Sequence, residues 1–191
     1  MVGNISNYTK LDVLRCMLKL GKYASRAELS KVLELGEGTI RTILDILKDK
    51  GLIVSDKKGH ILNTKGFNIL NSISKSIKET RQIEDKALIT NQKKFGILMK
   101  NTKITKKAYE LRDIAVKNGA EGALIFSFID KLRVIDVNYD KNFIQLEKYF
   151  NPGKNDVLIV SYANSYRLAE HGAFAAAVEL NAELKKLFNM F

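Results

Sequence analysis

The chain has 191 residues, 46% of them hydrophobic, enough for one or two domains with a full apolar core. One cysteine excludes an internal disulfide, and no apolar run reaches the roughly 18 residues of a membrane span. The net charge of +11 and the sequence pI near 9.6 favour polyanionic partners, nucleic acid ahead of anionic membrane.

Met1 to Tyr8 reads as a short arm without the charged and apolar regions of a secretory leader, so a cytoplasmic protein is expected. Thr9 opens a helix over residues 10–20, with Leu11, Leu14, Met17 and Leu18 on one face and Gly21 as its stop. Cys16, in that helix, reads as a small buried hydrophobe rather than a reactive thiol. Ser25 and Glu28 have capping-box spacing, and Leu29, Val32 and Leu33 form the stripe of a second helix. Gly36 marks a turn. A third helix starts near Gly38 or Thr39, buries Ile40, Ile43, Leu44 and Leu47, and closes at Gly51. Leu52–Val54 and His60–Leu62 then read as two strands around the polar tip Ser55-Asp56-Lys57-Lys58-Gly59.

Helix, turn, helix and basic-tipped hairpin is the order of a winged helix-turn-helix. The run GEGTIRTILDILKDKGLI, from Gly36 to Ile53, resembles the recognition helix and first wing strand of archaeal and bacterial winged-helix regulators. The resemblance implies that this helix enters the major groove of double-stranded DNA. Thr39, Arg41, Thr42 and Lys48 lie off its apolar stripe as candidate DNA contacts. Arg41 suits a guanine edge or a phosphate. The threonines suit phosphate or base edges, and the N–H groups at Glu37 and Gly38 suit a phosphate. Asp45 is expected to face away or to pair with a lysine. Lys57, Lys58 and His60 are the wing candidates for the sugar-phosphate backbone. Each of these residues also fits a merely solvated surface.

Asn63-Thr64-Lys65-Gly66 resembles the opening of the helix that follows the wing in such regulators, with Thr64 as N-cap. The stripe Phe67, Ile69, Leu70, Ile73, Ile77 extends that helix to about Glu84. It suits either a homodimer contact or packing on a second domain. A charged joint at residues 80–86 separates a DNA-binding domain (1–82) from an α/β domain (83–191) for dimerisation or ligand sensing.

The second part alternates strands and helices. Strands are expected at 87–89, 95–99, 123–129, 132–137 and 157–160, with helices at 103–118, 142–150 and 165–188. The fold class is therefore α/β (α+β): a winged helix-turn-helix followed by a two-layer α/β domain. The segment from Phe95 to Phe126, with Leu111-Arg112-Asp113, Gly119-Ala120 and Gly122-Ala123, is similar to the C-terminal domain of an archaeal family of uncharacterised winged-helix proteins. So is the segment from Val157 to Ala177. The resemblance implies a regulator architecture and no particular ligand or reaction.

No phosphate-binding loop, nucleophile elbow or cofactor motif occurs, so neither an enzyme nor a cofactor is expected. Cys16, His60 and His171 lack metal-ligand spacing. Asp136 and Asp140 read as turn residues. Ser161, Asn164, Ser165 and Arg167, at a strand-to-helix junction, are candidates for a small anionic effector, although Asn164 or Ser165 also fits a simple helix cap. Gly172 among alanines reads as a close helix contact. The expected function is a homodimeric, sequence-specific transcriptional regulator without membrane association. The alternative is a protein- or RNA-interaction module in a non-regulatory assembly.

Overall fold

The computed structural model describes residues 8–84, 88, 91–137 and 142–191. It divides into two compact units: residues up to Ser72 together with Leu187–Phe191, and Ile73–Lys186.

The first unit holds α1 (Lys10–Lys19), α2 (Arg26–Leu33), α3 (Glu37–Asp49), β1 (Ile53–Asp56), β2 (Gly59–Leu62) and most of α4 (Thr64–Ser76). Both expected capping boxes form, Thr9 with Asp12 and Ser25 with Glu28. Ile40, Ile43, Leu44 and Leu47 of α3 are buried with Leu11, Leu14, Met17, Leu29 and Leu33. Each such side chain contributes on the order of 1.5–3 kcal/mol by leaving water. Val32 departs from its expected place in the stripe and is half exposed. α2 ends at Glu34 in a left-handed conformation, and Gly36 is the N-cap of α3, so that helix starts slightly earlier than its spacing suggests. Gly51, at φ +64°, closes α3 as expected.

Burial in α1 reaches its charged residues. Arg15 Nη1 donates to Asp12 Oδ1 at 3.0 Å and to the Leu33 carbonyl at 3.1 Å. The guanidinium thereby satisfies a carbonyl at the end of α2 that helix geometry leaves unpaired. Asp12 Oδ2 also accepts from the Thr9 N–H at 3.0 Å.

α4 is shorter than its apolar spacing suggests and ends at Ser76. Its N-cap contact comes from Asn63, whose Oδ1 accepts from the Gly66 N–H at 3.0 Å, and not from Thr64. A side chain at Gly66 would collide with the Leu52 carbonyl oxygen, which explains the glycine in that motif.

The chain then becomes a strand, β3 (Ile77–Ile83), in place of the expected continuation of the helix. Hence Ile77 belongs to a sheet and the division between units falls near residue 72, earlier than 82. The second unit continues with β4 (Lys93–Met99), α5 (Ala108–Lys117), β5 (Gly122–Phe128), β6 (Leu132–Val134), α6 (Ile144–Phe150), β7 (Val157–Ala163), α7 (Tyr166–Leu180) and the start of α8 (Ala182–Asn189).

The five strands form one antiparallel sheet in the order β3-β4-β7-β5-β6. β4 and β5, joined through α5, run parallel with β7 inserted between them, a split β-α-β arrangement. α5 and α7 cover one face. On the other, Phe143, Leu146 and Phe150, from α6 and its start, meet Leu98, Phe126, Leu158 and Val160.

Three expected helices change length. α5 begins at Ala108 rather than at 103, where Glu110 Oε2 accepts from the Lys107 N–H at 2.8 Å and Asp136 Oδ2 from the Ala108 N–H at 2.9 Å. Thr102 instead donates to the Lys100 carbonyl. α6 begins at Ile144, just after Asn142 accepts from the Ile144 N–H. The long last helix breaks at Asn181, which takes an extended conformation and caps α8 through the Leu184 N–H at 3.0 Å. The second strand of the β5–β6 hairpin stops at Val134 rather than Val137. Most of the strand expected at 87–89, and Asp140, lie outside the described residues.

Candidate nucleic-acid interface

α3 presents an exposed side and an open start. Arg41, Thr42 and Lys48 are exposed and Thr39 is half-buried. The Thr42 hydroxyl donates back to the Gly38 carbonyl at 3.2 Å, leaving its lone pairs available. No side chain caps the N-terminus at Gly36. A methyl group at Gly36 or Gly38 would meet nothing within 4 Å, and neither residue has a positive φ. Glycine is therefore not required at either position by packing or backbone conformation.

The hairpin pairs Ile53 with Leu62 through Asp56 with Gly59, so Lys57 and Lys58 form its two-residue tip, both exposed. Contacts invisible in the strand pattern fix it to the segment before α2. Ala24 and His60 exchange both backbone hydrogen bonds at 3.0 Å. Tyr23 Oη donates to Asp56 Oδ2 at 2.7 Å, and the Lys58 N–H donates to Asp56 Oδ1 at 2.7 Å. These bonds, Tyr23's first, hold the Asp56 carboxyl below its ordinary range.

His60 is half-buried beside the hairpin tip, with Nδ1 2.7 Å from Ser55 Oγ. Burial, then the charges of Arg26 and Lys48, lower its pKa, while Asp45 opposes them. Arg26, Lys48 and Asp45 are thus the charges that bear on the His60 ring. Arg26 is a cation that the sequence reading missed; its position directly after the Ser25 cap was the available signal.

The four effector candidates differ in burial. The Ser161 hydroxyl is buried between β7 and α7, 2.6 Å from where a side chain at Gly172 would start. Ala120 lies 2.5 Å from the same point, so Gly172 serves close packing as expected. Ser165 accepts from the Leu168 N–H at 3.3 Å as the cap of α7. Asn164 is exposed and Arg167 half-buried. A groove of about 530 Å³ opens at the other end of β7, lined by residues including Thr102, Lys103, Phe128, Ile129 and Asp156. Its carboxylate is already engaged: Asp156 accepts from the Asn101 and Gly153 N–H groups and lies 3.8 Å from Lys78. Among the described residues no cluster of His, Cys, Asp and Glu suits a metal ion. No helix there is long and apolar enough to cross a membrane.

Comparison with known proteins covers both units. Residues 9–68 match the family described as PH0730-like, N-terminal domain, and residues 89–180 match Domain of unknown function (DUF4443). The fold is similar to the solved structure titled Hypothetical protein PH0730 from Pyrococcus horikoshii OT3. The TM-score is 0.74 at 26% identity, covering 95% of this chain and 100% of that one. No curated protein matches the sequence.

Proposed function

We propose that this chain, which carries a PH0730-like N-terminal domain ahead of a DUF4443 domain, is a sequence-specific DNA-binding transcriptional regulator acting as a homodimer. The observation carrying this reading is the open start of α3. No side chain caps that start, and open space surrounds Gly36 and Gly38, next to Thr39, Arg41 and Thr42. A helix N-terminus favours phosphate, and the N-terminal residues of a recognition helix are those that meet base edges. Arg26, Lys48, Lys57 and Lys58 add exposed cations on α2, α3 and the hairpin tip.

On this reading Arg41 reads a base edge, and the hairpin lysines displace counterions along the backbone. The second unit joins two copies so that paired half-sites are read together. A small anionic effector at that unit would act by favouring one conformer of the pair. The test is a mobility-shift titration on genomic fragments over several salt concentrations. Preference for particular fragments at fixed salt supports the reading, and equal affinity for all of them removes it.

One observation favours a protein- or RNA-interaction module instead. Glu37, Asp45 and Asp49 accompany Arg41 and Lys48 on α3, so the helix itself is slightly acidic. A weak salt dependence of DNA binding would favour this alternative.

A further inference from the structure

We infer that two copies of this chain associate edge to edge through β3, extending the five-stranded sheet across a two-fold axis centred on Thr80. The inference rests on the homodimer part of the proposed function and supplies its interface. β3 is one of the two edge strands and, at seven residues, the longer; the opposite edge, β6, has three. Among the described residues nothing pairs with its outer side, and Lys78, Thr80, Arg81 and Gln82 are exposed. An unpaired edge is a template for another strand.

The sequence of β3, Ile-Lys-Glu-Thr-Arg-Gln-Ile, selects that other strand as a copy of itself. A two-fold axis relating antiparallel neighbours stands perpendicular to the sheet, so paired residues share a face and even numbers pair with even. With Thr80 opposite Thr80, Glu79 faces Arg81 twice, and the bulge between Ile77 and Glu79 ends the regular pairing beyond them. The adjacent two-fold registers place Glu79 against Glu79 or Arg81 against Arg81, and directly opposed like charges destabilise a strand pair. Within one chain Glu79 Oε1 already lies 2.7 Å from Arg81 Nη2, so the pairing closes a ring of four alternating charges on one face. The register shift between Ile77 and Glu79 confines regular pairing to the central residues and so limits addition of unrelated strands.

The experiment uses the full chain. Thr80→Cys, exposed to oxidised glutathione, is expected to give a covalent dimer, because opposed residues of an antiparallel pair lie about 4.5–5.5 Å apart at Cα, within disulfide reach. Gln82→Cys is expected to cross-link far more slowly, since residue 82 does not stand opposite its own copy. Cys16 is buried and does not interfere. By sedimentation, wild type is expected at twice 21.6 kDa. Glu79→Arg and Arg81→Glu alone are each expected to be monomeric, and their mixture to form a heterodimer. Equal cross-linking of the two cysteine variants in a dimeric protein overturns the interface but leaves the homodimer reading. A monomeric wild type overturns both.

Discussion

Tyr23 and Asp56 are 33 residues apart in sequence, yet the tyrosine hydroxyl donates a 2.7 Å hydrogen bond to the aspartate beside the hairpin tip. The bond ties the hairpin to the segment before α2, and it depresses the Asp56 carboxyl while raising the Tyr23 phenol. Tyr23→Phe is expected to return the Asp56 pKa toward its ordinary value near 3.8, measured by NMR titration. Because the folded pKa is depressed, Asp56 adds stability above that value and loses it as pH falls below. The variant should show less acid destabilisation from this group, with DNA binding weakened and the fold retained.

Gly38 separates stability from function. It sits in the first turn of α3 with open space around it, where alanine is the better helix former by about 0.5–1 kcal/mol. Gly38→Ala is expected to raise the midpoint of urea unfolding while weakening DNA binding, because the methyl group enters the open space at the proposed contact surface. An unchanged affinity would remove the helix start from the contact surface.

His60 reports on the same surface. Burial, Arg26 and Lys48 disfavour its protonated form, so it is neutral at pH 7 in the free protein. The unfolded chain binds the proton more readily, so its contribution to stability is complete above the ordinary value of 6.5 and is lost as pH falls through the lower folded value. A phosphate held by Arg26 and Lys48 would offset their charges. The His60 pKa followed by NMR is therefore expected to rise on adding DNA, and binding to tighten as pH falls below 6.5. No shift would place the phosphates elsewhere.

Cys16 is expected to stay unreactive in the folded protein. Burial pushes its thiol up to about 12, with Asp12 adding to the rise and Arg15 opposing it. Modification by a thiol reagent should follow unfolding, rising with urea along the same curve as the loss of helix signal. Fast labelling of native protein would contradict this.

The helix-turn-helix was legible because its signals are local: two capping boxes, the stripe Ile40, Ile43, Leu44, Leu47, and Gly51 at the end. The helix-to-strand change at Ser76–Ile77 was not, since Ile69, Ile73 and Ile77 continue a helical spacing and neither glycine nor proline interrupts it. Only pairing with β4, remote in sequence, makes Ile77–Ile83 a strand. The break before α8 was hidden similarly, because Asn181 is a capping residue but the apolar pattern runs past it. At the candidate interface the cations were visible by position, whereas Tyr23–Asp56, Ala24–His60 and the role of Arg26 depend on tertiary proximity. Nearness in sequence did not reveal burial within the Ser161 to Arg167 segment: Ser161 is buried while Asn164 is exposed.

The most direct measurement compares wild type with Arg41→Ala on the fragment best selected from the source genome and on a shuffled fragment of equal length, at fixed salt. The account predicts a loss of about 1–3 kcal/mol on the selected fragment, little change on the shuffled one and relaxed preference at one base position. Equal losses on both fragments, or none on either, would contradict base reading by α3.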